Sequence, residues 1–263
     1  MTPLITLTTD FGLSDEYAGV MKGVIYTRCP GATIVDLTHG IRPQEVGQAA
    51  RVIASAYRYF PLNTIHVVVV DPGVGSNRRI ILLEAAGHLF LAPDNGVMTL
   101  LLPQTSKAYE VSNSDLFLQP VSHTFHGRDI FAPVAAHLAC NLPPHSTGRE
   151  IASQSLVSLA LPTPALYGNS LQGAVTDIDH FGNLITNIDR ETAHRFCAGD
   201  WRKLRVSAGA LTITGVATAY NAVAIDLPVA LFGSRDLLEI GIYQGNASKK
   251  LQLGLDSKVS LSI

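Results

Sequence analysis

Four consecutive valines, Val67-Val68-Val69-Val70, run straight into Asp71-Pro72-Gly73-Val74-Gly75. No other segment constrains the fold of this chain so tightly. An unbroken β-branched run reads as a strand buried on both faces, the mark of an inner strand in an α/β sheet. The strand stops at an aspartate. A carboxylate at the carboxyl end of a parallel strand lies in the crevice where open α/β sheets bind ligands. The glycines at 73 and 75 let backbone and ligand approach closely, and Arg78 is near enough to fold back to the same mouth. Asp71 is therefore the leading catalytic candidate.

The flanking sequence predicts strands over 4–8, 33–36, 67–70, 80–84 and 88–91. It predicts helices over 15–29 (Ser14 as N-cap), 44–60, 97–102 and 130–142. Alternation of strand and helix argues for a mostly parallel sheet flanked by helices. After Leu159 the texture changes. Leu161-Pro162-Thr163-Pro164-Ala165 reads as a proline-stiffened linker, followed by strands over 171–177, 184–187, 203–206, 211–214, 223–227, 237–242 and 259–263. The expected organisation is an α/β domain over 1–160, a linker over 161–170, and a smaller all-β domain, a barrel or sandwich, over 171–263.

Composition narrows the functional classes. At 263 residues, 47% hydrophobic and 15% charged, the chain suits a large core and extensive subunit contacts. A formal net charge of −2 with no basic stripe argues against nucleic acid and anionic membranes as partners. Cys29, Cys140 and Cys197 are odd in number and far apart, which fits a reducing compartment and offers no zinc spacing. The first residues lack a signal-like apolar run, and no stretch is long enough to span a bilayer. A soluble, cytoplasmic protein is expected.

Three acidic strand ends recur: Asp10, Asp36 and Asp71. Asp36 reads better as a helix cap, whereas Asp10 and Asp71 adjoin glycines where a ligand can reach them. In Thr124-Phe125-His126-Gly127-Arg128-Asp129 a histidine stands at the doorstep of a helix, while His66 and His88 read as structural. His123 and His126 invite a metal reading, but no third ligand stands at helical spacing. Asp177-Ile178-Asp179-His180-Phe181-Gly182-Asn183 could be a metal loop, a turn or a binding loop. Its exposed aromatic beside glycine favours a binding loop for a flat base or a cation. Gly233-Ser234-Arg235-Asp236 is either a solvated turn or a carboxylate clamp. Walker, His-Glu-x-x-His and Gly-x-Ser-x-Gly motifs are missing.

Seven segments occur in order: Thr9-Asp10-Phe11-Gly12, Asp36-Leu37-Thr38-His39, Asp71-Pro72-Gly73-Val74-Gly75, Ala92-Pro93-Asp94-Asn95-Gly96, Thr124 to Asp129, Asp179 to Asn183, and Gly233-Ser234-Arg235. Together they resemble the S-adenosyl-L-methionine hydrolase (adenosine-forming) family, relatives of the fluorinase and chlorinase. The resemblance spans nearly the whole chain. It implies an N-terminal α/β domain, a C-terminal β-barrel, and a homotrimer with active sites between the N-terminal domain of one subunit and the C-terminal domain of the next. It implies a catalytic Asp71, Arg78 and His126, with Arg79 adjacent and spacing alone selecting Arg78. By the same resemblance Asp10 holds the ribose hydroxyls, and Phe181, Asn183 and the backbone near Ala247 hold adenine. Asp15, Asp179, Ser234 and Arg235 hold the methionine ammonium and carboxylate, with Tyr17 lining that end. No cofactor and no metal are called for.

Within that resemblance the chain reads as a hydrolase. The halogenases carry a tyrosine where Asp71 stands and a long insertion between the next two strands. Here twelve residues, 80–91, separate Arg79 from Ala92-Pro93-Asp94. A carboxylate would repel a halide a few ångströms away by about 4 kcal/mol at an effective dielectric near 20. Water is the expected nucleophile, held in line with the ribose C5′ by Asp71, Arg78 and His126, with neutral methionine leaving. The rival readings are a halogenase, a non-catalytic S-adenosyl-L-methionine sensor, and a metal-dependent phosphoesterase using Asp10, Asp71, Asp179 and the histidines.

Overall fold

The computed structural model describes residues 3–263, in two compact units divided in sequence between Ala160 and Leu161. The first unit runs β1 (Leu4–Thr9), α1 (Tyr17–Arg28), β2 (Thr33–Thr38), α2 (Val46–Ala56), β3 (Ile65–Val69), β4 (Ile80–Ala85), β5 (His88–Pro93), β6 (Thr105–Glu110), α3 (Ala132–Ala139) and β7 (Glu150–Ile151). Its seven strands form one sheet in the order β2-β1-β3-β5-β4-β6-β7.

The valine run is the inner strand its composition demands. β3 pairs in parallel with β1 on one side and β5 on the other. Val67 and Val69 pack into the core shared with α1 and α3, and Val68 and Val70 into the core shared with α2. All four are essentially removed from water. Alternation across the pleat thus serves two apolar cores. Parallel pairing covers β2, β1, β3 and β5, and the remaining pairs, β5-β4, β4-β6 and β6-β7, are antiparallel. Asp10 and Asp71 follow the carboxyl ends of two adjacent parallel strands. The β4-β5 hairpin closes on Ala86 (φ 50°) and Gly87 (φ 79°), a tight two-residue turn with both centres left-handed.

The second unit contains β8 (Ala165–Tyr167), β9 (Ser170–Ile178), β10 (Leu184–Asp189), α4 (Arg190–Cys197), β11 (Arg205–Ala208), β12 (Leu211–Thr214), β13 (Pro228–Phe232), β14 (Leu237–Ile242), α5 (Ala247–Leu251) and β15 (Lys258–Ser262). The sheet order is β12-β11-β15-β9-β10-β14-β13, antiparallel throughout, with β8 on β9. Just past β12, the Ala217 N–H donates to the Ala230 carbonyl of β13 at 2.8 Å, which nearly closes the sheet into a barrel. Leu171, Val175, Leu184, Leu238, Ile240, Val259 and Leu261 fill its interior.

Several local expectations are corrected. Ser14 does not cap α1, which starts at Tyr17 behind Glu16 with no side-chain cap. The helix expected from residue 44 starts at Val46, because Gln44 takes a left-handed conformation (φ 66°). It ends at Ala56 and tightens into a single 3₁₀ turn, Tyr57–Tyr59. The helix expected over 97–102 is a 3₁₀ segment, Thr99–Gln104. The strand expected over 223–227 is displaced to β13, because Asp226 turns the chain with φ 69°. The second unit also holds two short helices inside its β frame. α4 is capped by Asp189, whose carboxylate accepts from the Thr192 N–H, and α5 by Asn246, which accepts from the Lys249 N–H. Residues 165–167, placed in the linker, form β8 instead.

Candidate active site

The loop after β3 carries Asp71 and returns Arg78 to it. Gly75 enables this return: its φ is +78°, and a Cβ there would lie 2.3 Å from the His123 carbonyl oxygen. Only a residue without a side chain lets the 71–78 loop pack against the segment that brings in His126. From the other side, Asn95 Nδ2 donates to the Val70 carbonyl at 2.8 Å, and Asp94 Oδ2 accepts from Arg79 Nε at 2.9 Å. The Asp94-Asn95-Gly96 element therefore braces the strand end that presents Asp71.

Arg78 is the centre of the constellation. Its Nε donates to Asp71 Oδ1 at 3.0 Å and Oδ2 at 2.9 Å, and its Nη2 also reaches Oδ2. The same Nη2 donates to His126 Nδ1 at 2.7 Å. A guanidinium has donors only, so Nδ1 must offer a lone pair, and the His126 proton sits on Nε2. Burial, together with the Arg78 charge, holds the imidazole below its ordinary pKa against the opposing pull of Asp71, so the ring is neutral near pH 7. Arg79 points elsewhere, to Asp94 and Ser155, so Arg78 is the arginine of this cluster.

His126 is held by its own surroundings. The chain after it, Gly127–Phe131, is wound as a π-turn leading into α3. A Cβ at Gly127 would meet Phe125 at 3.1 Å, Met21 at 3.2 Å and Phe11 at 3.4 Å, so glycine fits a crowded aromatic floor. Buried Asp129 accepts from the Ser122 N–H at 2.8 Å and from Arg128 Nε at 2.6 Å, closing the 122–129 loop around the histidine. Burial alone would raise the Asp129 carboxyl, but the Arg128 and Ser122 donors outweigh it and hold it below the usual carboxylate range.

A cleft of about 560 Å³ opens at this edge of the sheet, lined by Asp10, Tyr17, Asp71, Phe125 and His126 among others. Asp10 lends one carboxylate oxygen to the Gln44 N–H at 2.8 Å and lines the cleft. Phe11, Tyr17 and Phe125 form an aromatic cluster with ring centroids 5.0–6.0 Å apart, Phe125 meeting the other two edge-to-face. Asp36 does not cap a helix as its spacing suggests: it pairs with Lys22 and with His39. Asp15 is exposed in the bend before α1 and does not line the cleft; Glu16 does. Sequence reading missed Glu16, although it directly precedes Tyr17.

The second unit has a cavity of about 490 Å³ lined by Asp179, Phe181, Asn183, Tyr220, Gln244 and Gly245. Phe181 presents a ring that is 73% exposed. Asp179 builds the loop beneath it, accepting from the N–H groups of Phe181 and Asn183 at 2.9 and 2.8 Å. Gly182 (φ +89°) lies against Asn246, and its carbonyl accepts from the Ser248 N–H at 2.9 Å. This ties the loop to the start of α5. Ala247 itself is buried and does not line the cavity; Gln244 and Gly245, just before it, do. Ser234 is exposed in the β13-β14 turn, and Arg235 donates to Asp177 at 3.3 Å; neither lines this cavity. Tyr220 was missed because nothing around it in sequence marks a site.

Among the described residues, no three His, Cys, Asp or Glu side chains converge as a metal site, and no helix is long and apolar enough to cross a membrane.

Two family models match the chain: the SAM hydroxide adenosyltransferase N-terminal domain over residues 5–148 and the corresponding C-terminal domain over 173–260. An (R)-S-adenosyl-L-methionine hydrolase of Thermus thermophilus is 36% identical, with 96% of each chain covered. A fluorinase of an Actinoplanes species is 32% identical, with 90% of each covered. The crystal structure of an uncharacterized conserved protein from Thermotoga maritima superposes with a TM-score of 0.92 at 35% identity, covering 98% of this chain and 100% of that one. With both halves matched and relatives of this similarity along nearly its full length, the chain belongs to the SAM hydroxide adenosyltransferase family.

Proposed function

We propose that this protein hydrolyses S-adenosyl-L-methionine to adenosine and L-methionine by attack of water at the ribose C5′. The observation that carries the reading is the Arg78 bridge between Asp71 and His126 at the floor of the cleft, in a chain of this family. The Thermus relative is named for the R epimer at sulfur, and the same epimer is taken as the substrate here. The sulfonium makes methionine a neutral leaving group, so no general acid is needed. What the protein supplies is a positioned nucleophile and somewhere for its hydrogen bonds to go.

The three residues divide that work. Arg78 can only donate, and neutral His126 with Nδ1 engaged offers Nε2–H, also a donor. Asp71 is thus the one acceptor of the three, and the attacking water donates to it. Arg78 Nε and Nη2 fix the carboxylate in place, so alignment is established before substrate arrives. Asp71 also bears on the nucleophile, since a carboxylate at that point repels a halide and tolerates water. Asp10 holds the ribose hydroxyls, and Tyr17 and Asp15 lie toward the methionine end. Phe181, Asn183 and the backbone beside Ala247 hold adenine, with Asp179, Ser234 and Arg235 completing the amino-acid end.

The two cavities, one carrying the nucleophile-positioning residues and one carrying a flat base site, fit a homotrimer in which neighbouring subunits complete each site. Cys29, Cys140 and Cys197 are all unpaired thiols, which suits a cytoplasmic enzyme.

Asp71→Asn tests the reading. Turnover should fall by about 10²- to 10⁴-fold while substrate binding, read by calorimetry, is retained. Unchanged turnover would remove Asp71 from the chemistry.

A further inference from the structure

The base-site cavity has an inner polar layer with no part in the displacement itself. Asn183 Nδ2 donates to Asp179 Oδ2 at 2.8 Å. A carboxylate has no proton to give, so this contact decides which end of the amide faces Asp179. The second Nδ2 hydrogen goes to the Tyr220 hydroxyl oxygen at 3.3 Å. That hydroxyl donates its own proton to Glu239 Oε2 at 2.7 Å, leaving its oxygen to accept. The chain of bonds therefore has one direction, from Asn183 through Tyr220 to Glu239.

Two glycines leave room for this chain. A Cβ at Gly233 would lie 1.8 Å from Glu239 Oε1, and one at Gly241 would lie 2.9 Å from both Asn183 Oδ1 and the Tyr220 ring. Gly233 of the Gly-Ser-Arg turn thus makes space for a buried carboxylate, a role its sequence context did not suggest. Burial, and then Glu239, push the Tyr220 phenol well above its ordinary range, so its proton stays on oxygen. Among the described residues, no hydrogen-bond donor reaches Asn183 Oδ1.

We infer that Tyr220 and Glu239 are positioning residues that consume the amide hydrogens of Asn183, so that the cavity offers an acceptor and selects a 6-aminopurine nucleoside over a 6-oxopurine one. This inference rests on the placement of the base against Phe181 and Asn183. A 6-amino group donates to Asn183 Oδ1. A 6-oxo group sets lone pair against lone pair and leaves both desolvated acceptors unpaired, the kind of mismatch that polar sites reject strongly.

The test compares kcat/KM for S-adenosyl-L-methionine with that for its deaminated 6-oxopurine analogue, S-inosyl-L-methionine. The wild-type protein should prefer the amino substrate. Tyr220→Phe removes one of the two acceptors that orient the Asn183 amide, so that the amide can turn Nδ2 toward a 6-oxo group and the preference should shrink by about fivefold to tenfold. If loss of the phenol strands the Glu239 charge and the variant unfolds, Tyr220→Phe combined with Glu239→Gln removes that charge and should show the same reduced preference. Asn183→Ala separates the two levels. A preference unchanged in Asn183→Ala overturns the base placement. A preference lost in Asn183→Ala but intact in the Tyr220 variants overturns the positioning role alone.

Discussion

At the scale of single residues, charge and burial assign the roles. Arg78 and Arg79 are adjacent in sequence, yet one turns to Asp71 and the other to Asp94. His126 and His66 are both buried, but only His126 faces a cleft. His66 sits inside the sheet, its Nδ1 2.8 Å from Thr6 Oγ1 and its Nε2 3.4 Å from His88 Nδ1. Burial, and then the His88 charge, push its pKa from 6.5 down to about 3. Between those values the unfolded chain binds a proton that the folded chain refuses, so stability rises with pH across that window and is lost as pH falls through it. The urea midpoint should therefore fall steadily as the pH is lowered from 7 to 4. His66→Asn should flatten that slope whatever it does to stability at neutral pH, and an equal slope in both proteins would contradict the assignment.

At the scale of elements, the loops after β1 and β3 do what the parallel sheet edge predicts, and the glycines in them are not equivalent. Gly12 has a φ of +68° but open space around it, whereas Gly75 combines a φ of +78° with the His123 carbonyl in the way. Gly12→Ala should cost about 1 kcal/mol of backbone strain. Gly75→Ala should cost about 2–3 kcal/mol and also lower turnover, because the 71–78 loop must shift away from His126. Denaturant midpoints for both variants check the order, and equal costs would refute it. The loop was legible because a buried strand, an aspartate and two glycines follow one another without a break. The Asp94-Asn95-Gly96 brace was not, because its partners, Arg79 and Val70, are set by strand order. Antiparallel pairing of β4 and β6, the shortened helix at 46–56 and the helices α4 and α5 were likewise hidden. Each turns on a tertiary pairing or on one left-handed residue, although Asp189 and Asn246 did carry capping chemistry.

At the scale of the whole molecule, two units each supply part of the proposed chemistry, which motivates an assembly test. Asp71→Asn and Asn183→Ala subunits, each poorly active alone, should recover activity after subunit exchange, up to about a quarter of wild type for random equal mixing in a closed ring. No recovery in verified mixed oligomers would place each complete site within one chain. The cavity-lining candidates were legible chiefly as a set: Asp10, Asp71, His126, Phe181 and Asn183 each lie within two residues of a glycine and line the cavities. Glu16, Tyr220 and Glu239 were not, since no local pattern separates them from ordinary surface or core.

The most direct test of the central claim is product analysis after incubating the purified protein with (R)-S-adenosyl-L-methionine in ¹⁸O-labelled water, with EDTA and with or without chloride. Hydrolysis at C5′ predicts methionine and adenosine carrying ¹⁸O in its 5′-hydroxyl, in amounts that chelator and halide leave unchanged. A 5′-chloro nucleoside, unlabelled adenosine, or intact substrate despite binding would contradict it.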